Sequence, residues 1–218
     1  MPCQENKKIS KDYLILCEGI DAKNCLIYYL NSRELSAQPG FANDIQVMDF
    51  GGINALSSSL AILKNIENFS SVKNILIVRD AETNPAVAIN SIQSSLVKNY
   101  LSVPPTPNMW EDGTPNICYT LFPTFDGQTP GTLEDLCLSI IQEPGWDRLD
   151  QDIDRFLTEL KEQRKREFPH EFKTKLHTYF SVTDRFVSMK IGEAAKAGAF
   201  DWASEKLSPL RDLIAKKL

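Results

Sequence analysis

Three short apolar runs, each ending in acidic or glycine residues and each followed by a helical pattern, constrain the fold more than any other feature. They are YLILC at 13–17, DIQVMDF at 44–50 and VKNILIVRDAE at 72–82. A continuous apolar run is typical of a strand that is buried on both faces of a parallel sheet. Strands that alternate with helices imply right-handed crossovers, and we therefore predict an α/β fold with a mostly parallel sheet covered by helices.

The residues after each run carry apolar side chains at the spacing of a helix. The first helix is predicted from Asp21 to about Leu35, and Pro85 suits the first turn of the third helix. The residues expected to face the core are Ala22, Cys25, Leu26, Tyr29 and Leu30 in the first helix, Ile53, Leu56, Leu60 and Leu63 in the second, and Val87, Ile89, Ile92 and Leu96 in the third.

The alternation breaks in the middle of the chain. Four prolines and an Asp-Gly pair predict a loop over 102–116. A fourth strand is predicted at 117–123, and a helix at 132–141 with Thr132 as its cap. The sheet is therefore expected to gain one more strand and one more covering helix.

The last third of the chain, from about residue 146, is more charged and carries helical patterns almost throughout. We predict two units on this basis. Residues 1–142 form an α/β domain, and residues 143–218 form a helical extension that packs on the core of that domain.

The composition is that of a globular protein, with 42% hydrophobic and 24% charged residues among 218. The N-terminus lacks the apolar segment of a secretory signal and no apolar run is long enough to cross a bilayer, so we expect a cytoplasmic protein without membrane contact. Five scattered cysteines and two histidines argue against a disulfide framework or a zinc site, and predict buried, reduced thiols. The net charge of −5 argues against a generally basic nucleic-acid binder.

Acidic residues recur where the predicted strands end. Glu18 ends the first strand, Asp80 and Glu82 end the third, and Glu134 with Asp135 follows the fourth. The carboxyl ends of parallel strands meet at one edge of the sheet, where α/β proteins bind ligands. Converging carboxylates repel one another unless a cation lies between them, and oxygen ligands suit Mg²⁺ or Mn²⁺. Taken alone, Glu18 is equally typical of a turn, and Asp80 with Glu82 is a weak signal that also suits turn and cap residues. Glu134 and Asp135 alone are better explained as acids that favour the first turn of a helix.

The loop after the second strand contains Gly51 and Gly52, which would let a phosphate approach the backbone at a helix N-terminus. Two adjacent glycines more often simply form a turn. Other phosphate and hydrolase motifs are missing from the sequence: GxxxxGK[ST], GxGxxG after the first strand, and GxSxG. A P-loop nucleotide hydrolase is therefore excluded, and the dinucleotide-binding and α/β-hydrolase classes fit less well.

Together these motifs resemble the Toprim domain, the catalytic module of topoisomerases, bacterial primases and the overcoming-lysogenization-defect (OLD) nucleases. The segment LCEGID supplies a glutamate after the first strand, DFGG the glycines after the second, and IVRDAE the acidic pair after the third. The resemblance covers roughly residues 12–142 and is greatest to OLD-like nucleases and small bacterial Toprim-related proteins. It implies a Toprim-like three-layer sandwich.

The resemblance also implies a cation site that holds one or two metal ions. Asp80, Glu82 and Glu134 would be metal ligands, and Asp21 would stand in for a further acid on the first helix. Glu18 would be the general base or a shared ligand. The family has aspartate where this chain has Glu82, so that arm is one methylene longer here.

A Ser-x-Glu pair and a lysine complete the site in OLD-like nucleases. By resemblance, Thr132 and Glu134 take the place of the pair, and either Lys173 or Lys175 takes the place of the lysine. Thr132 and Lys173 would contact phosphate, and Lys175 would act in catalysis. Because no ATPase domain accompanies the module in this sequence, we expect the module to act alone or with a separate ATPase or another protein partner.

Two functions follow from these residues. The first is a Mg²⁺- or Mn²⁺-dependent phosphoryl-transfer enzyme, a nuclease that acts on DNA or RNA. The alternative is a non-catalytic Toprim-like module that binds nucleic acid, a nucleotide or a protein partner. The segment 160–179 interleaves basic residues with Phe168, Phe172 and Tyr179, as in proteins that hold single strands, but its glutamates favour a solvated amphipathic helix.

Overall fold

A sheet of four parallel strands lies at the centre of the protein, in the order β2-β1-β3-β4. The computed structural model describes residues 8–36, 41 and 43–218. The strands are β1 Tyr13–Cys17, β2 Ile45–Asp49, β3 Asn74–Asp80 and β4 Asn116–Phe122. In the register of the sheet, Cys17 lies between Asp49 and Val78, and Asp80 lies beside Phe122. The prediction of an α/β fold with a parallel sheet is confirmed.

Helices cover both faces of this sheet, as a parallel sheet requires. In chain order they are α1 Ile20–Leu30, α2 Arg33–Ser36, α3 Leu56–Leu63, α4 Pro85–Lys98, α5 Leu133–Ser139, α6 Trp146–Arg164, α7 Glu171–Val182, α8 Ile191–Ala197 and α9 Ser208–Ala215. One face packs against α3 and α4, and the other packs against α1 and the helices from α5 onward. Because side chains alternate along a strand, Leu16 packs in the core between the sheet and helices α3 and α4. Cys17 packs in the core on the opposite face, against α1 and the later helices.

Helix α1 is shorter than predicted, although its expected core residues are all buried. It ends at Leu30 because the Asn31 side chain donates a hydrogen bond to the carbonyl oxygen of Ile27 at 2.8 Å, and the chain turns there. A separate short helix, α2, follows. The prediction of one helix to about Leu35 is therefore wrong in its C-terminal part.

Two residues predicted to face the core are exposed. Ile53, 42% exposed, lies in the turn before α3, because the left-handed backbone at Gly51 and Gly52 delays the start of that helix to Leu56. Val87, 62% exposed, lies on α4 one residue before the buried stripe. That stripe contains Ala88, Ile92, Ser95 and Leu96.

The C-terminal helices complete the core that α1 begins. Leu176, Ala194 and Leu210, from α7, α8 and α9, are fully buried in the same cluster as Ile15 of the sheet. The Tyr29 hydroxyl also donates a hydrogen bond to the carbonyl oxygen of Leu207 at 3.2 Å. The extension therefore covers one face of the sheet together with α1 and α5. Within the described part of the chain, no helix combines the length and apolar character needed to span a membrane.

The cysteines that the structure describes are Cys17, Cys25, Cys118 and Cys137, and all are buried and outside any disulfide bond. This confirms the prediction of reduced, buried cysteines at these positions. The fifth cysteine, Cys3, lies outside the described residues.

Candidate active site

The predicted acidic residues lie at the edge of the sheet where the strands end. Glu18 follows β1, Asp80 is the last residue of β3, and Glu82 comes two residues later. Glu134 lies in the first turn of α5, which follows β4 after a loop. These four residues act on one another electrostatically, as described below, and we call them the acidic edge.

Asp80 lies at the centre of the acidic edge. Its Oδ1 accepts a hydrogen bond from the backbone N–H of Leu133 at 2.8 Å, which ties the end of β3 to the start of α5. Burial, followed by the negative charges of Glu18, Glu134 and Glu82, raises the pKa of Asp80 from 3.8 to about 8, although the Leu133 hydrogen bond acts in the lowering direction. Asp80 therefore holds its proton at neutral pH unless a cation compensates its charge.

Glu82 has an unusual backbone that is fixed by the loop before α5. Its φ of 56° lies in the left-handed region, which glutamate rarely adopts. Its N–H donates to the carbonyl oxygen of Gly131 at 2.9 Å, and the N–H of Gly131 donates back at 2.8 Å. A Cβ at Gly131 would lie 2.9 Å from Cγ of Pro123, so only glycine fits there. This reciprocal pair of hydrogen bonds places Glu82 beside the start of α5.

Glu18 is paired with a residue that sequence reasoning missed. The Nε atom of Arg79 lies 3.2 Å from Oε2 of Glu18, and both side chains are largely buried. The Nη1 group of Arg79 donates a hydrogen bond to the Ser91 hydroxyl at 2.9 Å. Burial raises the pKa of Glu18, the positive charge of Arg79 lowers it, and the charge of Glu82 raises it. The only signal in the sequence was an arginine inside an otherwise apolar strand run.

Of the two candidate lysines, Lys173 approaches the acidic edge. Its Nζ lies 3.9 Å from Oε1 of Glu134. The Nζ of Lys175 lies 2.7 Å from a carboxylate oxygen of Asp150 and 2.7 Å from one of Asp154, both on α6. The structure therefore places Lys175 in a helix-to-helix ion pair and does not bring it to the other predicted catalytic residues.

Thr132 caps α5 as predicted. Its backbone N–H and hydroxyl, the groups expected to bind phosphate, already form hydrogen bonds within the cap. Its backbone N–H donates to Oδ2 of Asp135 at 2.7 Å, and its hydroxyl lies 3.0 Å from the same oxygen. The predicted phosphate contact therefore competes with a hydrogen bond inside the cap. Asp135 serves the helix start and does not join the groups that act on Asp80.

Asp21 and the glycine pair follow the ends of β1 and β2 but do not belong to the four residues of the acidic edge. Asp21 is in the first turn of α1, and its charge acts on the buried thiol of Cys137. Gly51 and Gly52 have φ values of 87° and 108°, and the N–H of Ala55 donates to the carbonyl oxygen of Gly52 at 2.9 Å. This geometry forms a turn, and phosphate binding by the two glycines stays a prediction.

A groove of about 650 Å³ lies between α6 and α7, and sequence reasoning missed it. Phe156 and both histidines are exposed there, and Lys173 lines the groove as well as approaching Glu134. The remaining lining residues are Pro169, Thr174, Thr178, Ser181 and Val182. Lys173 is therefore the residue that the groove shares with the surroundings of Glu134. The one signal for the groove in the sequence was an aromatic residue, Phe156, within the charged helical pattern of α6.

Several side chains of the basic segment at 160–179 already have partners within the protein, which its sequence did not reveal. Lys161 pairs with Glu167 and Glu171, at 3.4 and 2.7 Å. Tyr179 is fully buried against Phe186, so it cannot stack on a bound base. These contacts argue against a continuous single-strand binding surface. The interpretation of one amphipathic helix is also wrong, because α6 ends at Arg164 and α7 begins only at Glu171.

The carboxylates have the chemistry of a Mg²⁺ or Mn²⁺ site, because they offer only oxygen ligands. Over residues 8–36, 41 and 43–218, however, no three histidine, cysteine, aspartate or glutamate side chains are arranged to hold a metal ion. Burial is the main cause of the raised pKa of Asp80, and the charges of the neighbouring carboxylates add to it. The ligand type suits a divalent cation, but the described residues do not assemble a site for one, so the cation stays a prediction.

These features define a class: an α/β protein with a four-stranded parallel sheet, a second core built from C-terminal helices, and an acidic edge where the strands end. The chain belongs to the family described as protein of unknown function (DUF3226), whose model matches residues 12–216. No curated protein and no solved structure matches the chain. The family match spans the sheet and the C-terminal helices alike.

Proposed function

We propose that this protein is a Toprim-like, Mg²⁺- or Mn²⁺-dependent phosphoryl-transfer enzyme, a nuclease that acts on DNA or RNA in the cytoplasm. The observation that carries the proposal is the partly buried carboxyl group of Asp80, which lies among the other carboxylates at the ends of the strands. Glu18, Glu82 and Glu134 all act on the partly buried Asp80. Without a cation, this arrangement of carboxylates lowers the free energy of unfolding. A bound cation would remove that cost, which gives a reason for a metal-dependent enzyme to retain the arrangement.

Each residue of the acidic edge has a role under this proposal. Asp80, Glu82 and Glu134 would hold the cation, which when bound supplies positive charge to a phosphodiester. Glu18 would accept the proton of the attacking water, and burial, which raises its pKa, makes it a stronger base than an ordinary glutamate. Lys173, the lysine that approaches Glu134, opposes the charge that develops on the leaving oxygen.

The groove between α6 and α7 supports a polymeric substrate. It adjoins the acidic edge through Lys173, and it exposes Phe156 together with His170 and His177. An aromatic face stacks on bases without regard to sequence, and cationic side chains contact phosphates. A strand that lies in this groove would place a phosphodiester near Glu134.

Cleavage of labelled nucleic acid tests the proposal. Single- and double-stranded DNA and RNA would each be incubated with purified protein and Mg²⁺ or Mn²⁺. We expect cleavage by the wild type, loss of at least about a hundredfold in Asp80→Asn, and no loss in Asp44→Asn, which changes an exposed aspartate at the opposite end of a strand. Equal cleavage by the wild type and Asp80→Asn would attribute the activity to a contaminant and contradict the proposal.

A second candidate function has its own supporting observation. A non-catalytic module that binds nucleic acid, a nucleotide or a protein partner, such as a separate ATPase, fits the finding that no metal-holding group is assembled among the described residues. Under this alternative the protein would bind nucleic acid equally well with Mg²⁺ and with a chelator, and no substrate would be cleaved. Fluorescence anisotropy under both conditions distinguishes the two functions.

A further inference from the structure

We infer that the groove between α6 and α7 holds a single strand of nucleic acid, and that the adjacent cations Arg164, Lys165 and Arg166 form its entrance. The inference rests on the proposed function and names the substrate class of the same site, which shares Lys173 with this groove. It makes the substrate single-stranded and gives the role of stacking on a base to Phe156.

One side of α7 forms most of the groove. Seven of the nine residues that line it follow the spacing of a helix, from His170 just before α7 to Val182 at its end. Twelve steps along a helix cover about 18 Å, whereas a DNA strand advances about 3.4 Å per nucleotide. The groove is therefore long enough for several nucleotides, and a free nucleotide would fill only part of it.

The lining of the groove suits an anionic ligand. None of the nine described residues that line it is acidic, although the chain has 29 acidic residues. Its basic side chains are Lys173 and both histidines, and all three are exposed. The hydroxyl groups of Thr174, Thr178 and Ser181 donate to carbonyl oxygens one turn earlier in the chain. Contact with phosphate therefore falls to the lysine and the imidazoles.

Phe156 gives the groove a flat apolar face. It comes from α6, and its side chain is 53% exposed. An exposed ring beside cationic groups stacks on the face of a base, which a single strand presents and a duplex covers with the next base pair. The groove also avoids the occupied part of the basic segment, because neither the paired Lys161 nor the buried Tyr179 is among the described residues that line it.

The end of the groove at the turn between α6 and α7 is positively charged. Arg164, Lys165 and Arg166 are exposed there, and none of them forms an ion pair with another described residue. Arg166 precedes Pro169 of the lining by three residues, so their backbones lie at most about 11 Å apart. Residues 161–173 include five lysines and arginines and three glutamates, a net charge of plus two in a chain of net charge −5. The phosphates of a strand therefore meet a positive surface at this end.

Fluorescence anisotropy in EDTA tests the inference, because the chelator prevents cleavage and leaves the groove to hold the strand. The probes are a labelled single strand of about twelve nucleotides, in DNA and in RNA, and the duplex that it forms with its complement. We expect the single strand to bind at least about tenfold more tightly than the duplex. Phe156→Ala should weaken single-strand binding at least about fivefold. Phe172→Ala is the matched control and should stay within about twofold, since Phe172 is a similarly exposed residue of α7 that does not line the groove.

The salt dependence of binding tests the entrance. Each phosphate contact of a single strand adds about 0.7 to the slope of log affinity against log salt, so the triple variant Arg164→Gln, Lys165→Gln, Arg166→Gln should lower that slope by about two. The control is the triple variant Lys8→Gln, Lys11→Gln, Lys98→Gln, which removes three exposed charges from before β1 and from the end of α4. It should leave the slope unchanged.

Four results would overturn the inference: equal binding of the single strand and the duplex, no binding of either, an equal loss in Phe156→Ala and Phe172→Ala, or an equal change of slope in the two triple variants. Displacement of the strand by an equal concentration of a mononucleotide or of polyglutamate would also overturn it, because the occupant would then be a nucleotide or an acidic protein. Metal-dependent cleavage that persists beside any of these results would leave the proposed function intact. Selective binding of the single strand without cleavage in Mn²⁺ would overturn the proposed function alone.

Discussion

At the scale of single residues, Asp80 links the fold to the proposed chemistry. It is partly buried, it fastens the start of α5 through Leu133, and the other carboxylates of the acidic edge surround it. A carboxyl group in this position is stable in the folded protein when it is protonated or when a cation lies beside it. Its titration should therefore be visible in the stability of the metal-free protein.

Asp80→Asn should change how stability depends on pH in the presence of EDTA. The pKa of Asp80 is about 8 in the folded protein and 3.8 ordinarily, so its stabilising effect is complete below about pH 4 and is lost as the pH rises through 8. Asparagine is neutral throughout and keeps an oxygen for Leu133. The variant should exceed the wild type in unfolding free energy at pH 9 by roughly 2–5 kcal/mol, and by less at pH 5.

Urea unfolding at pH 5, 7 and 9 measures this difference. Asp44→Asn is the control, because Asp44 is exposed and should leave the pH dependence of the wild type unchanged. A gap between the wild type and Asp80→Asn that does not widen with pH would show that Asp80 titrates normally.

The positions of the acidic residues could be predicted from the sequence, but their charge partners could not. Parallel strands end at one edge, so Glu18 and Asp80 were bound to lie near each other once the strands were recognised. The pairing of Glu18 with Arg79 depends on strand order and on the burial of Arg79 under α4. No local pattern in the sequence reveals the strand order or the burial of Arg79.

At the scale of elements, α7 decides which lysine reaches the site. Residues two apart on a helix point in nearly opposite directions, so Lys173 and Lys175 cannot serve the same group. Lys173 faces α5 and Glu134, and Lys175 faces α6 and pairs with Asp150 and Asp154. The period of the helix also explains why Val87 is exposed. Val87 lies about a quarter turn from the buried stripe of α4.

Lys173→Met should therefore affect mainly cleavage, and Lys175→Met should affect mainly stability. The first removes the cation that approaches Glu134 and should lower cleavage by about tenfold or more, with a change in unfolding free energy within about 0.5 kcal/mol. The second removes two ion pairs on partly exposed groups and should cost roughly 0.5–1.5 kcal/mol in stability, with cleavage little changed. Single-turnover cleavage and urea unfolding of both variants measure this. A larger loss of cleavage in Lys175→Met would return the catalytic role to Lys175.

At the scale of the whole molecule, the predicted units at 1–142 and 143–218 share one core. Leu157, Phe180 and Leu210 belong to the same buried cluster as Tyr13 and Val78 of the sheet. The helical character of the extension was predictable from its patterns. Its burial against the sheet was not, because the amphipathic pattern of a helix does not reveal its partner.

A chain that ends at residue 142 should consequently fail to fold cooperatively. It would expose the face of the sheet that α6 to α9 cover, and the loss of so many buried side chains exceeds the net stability of a typical domain. We expect no cooperative thermal transition and strong binding of a hydrophobic dye. A sharp transition near the melting temperature of the full chain would show instead that residues 1–142 are an independent domain.

The central claim is that the acidic edge binds a divalent cation, and the melting temperature with and without Mn²⁺ tests it most directly. At a Mn²⁺ concentration about a hundred times the Kd, binding adds about 2.7 kcal/mol to the unfolding free energy, so Tm should rise by roughly 5–10 °C in the wild type and in Asp44→Asn. Asp80→Asn should show little or no rise. An unchanged Tm in the wild type, or an equal rise in Asp80→Asn, would contradict the account.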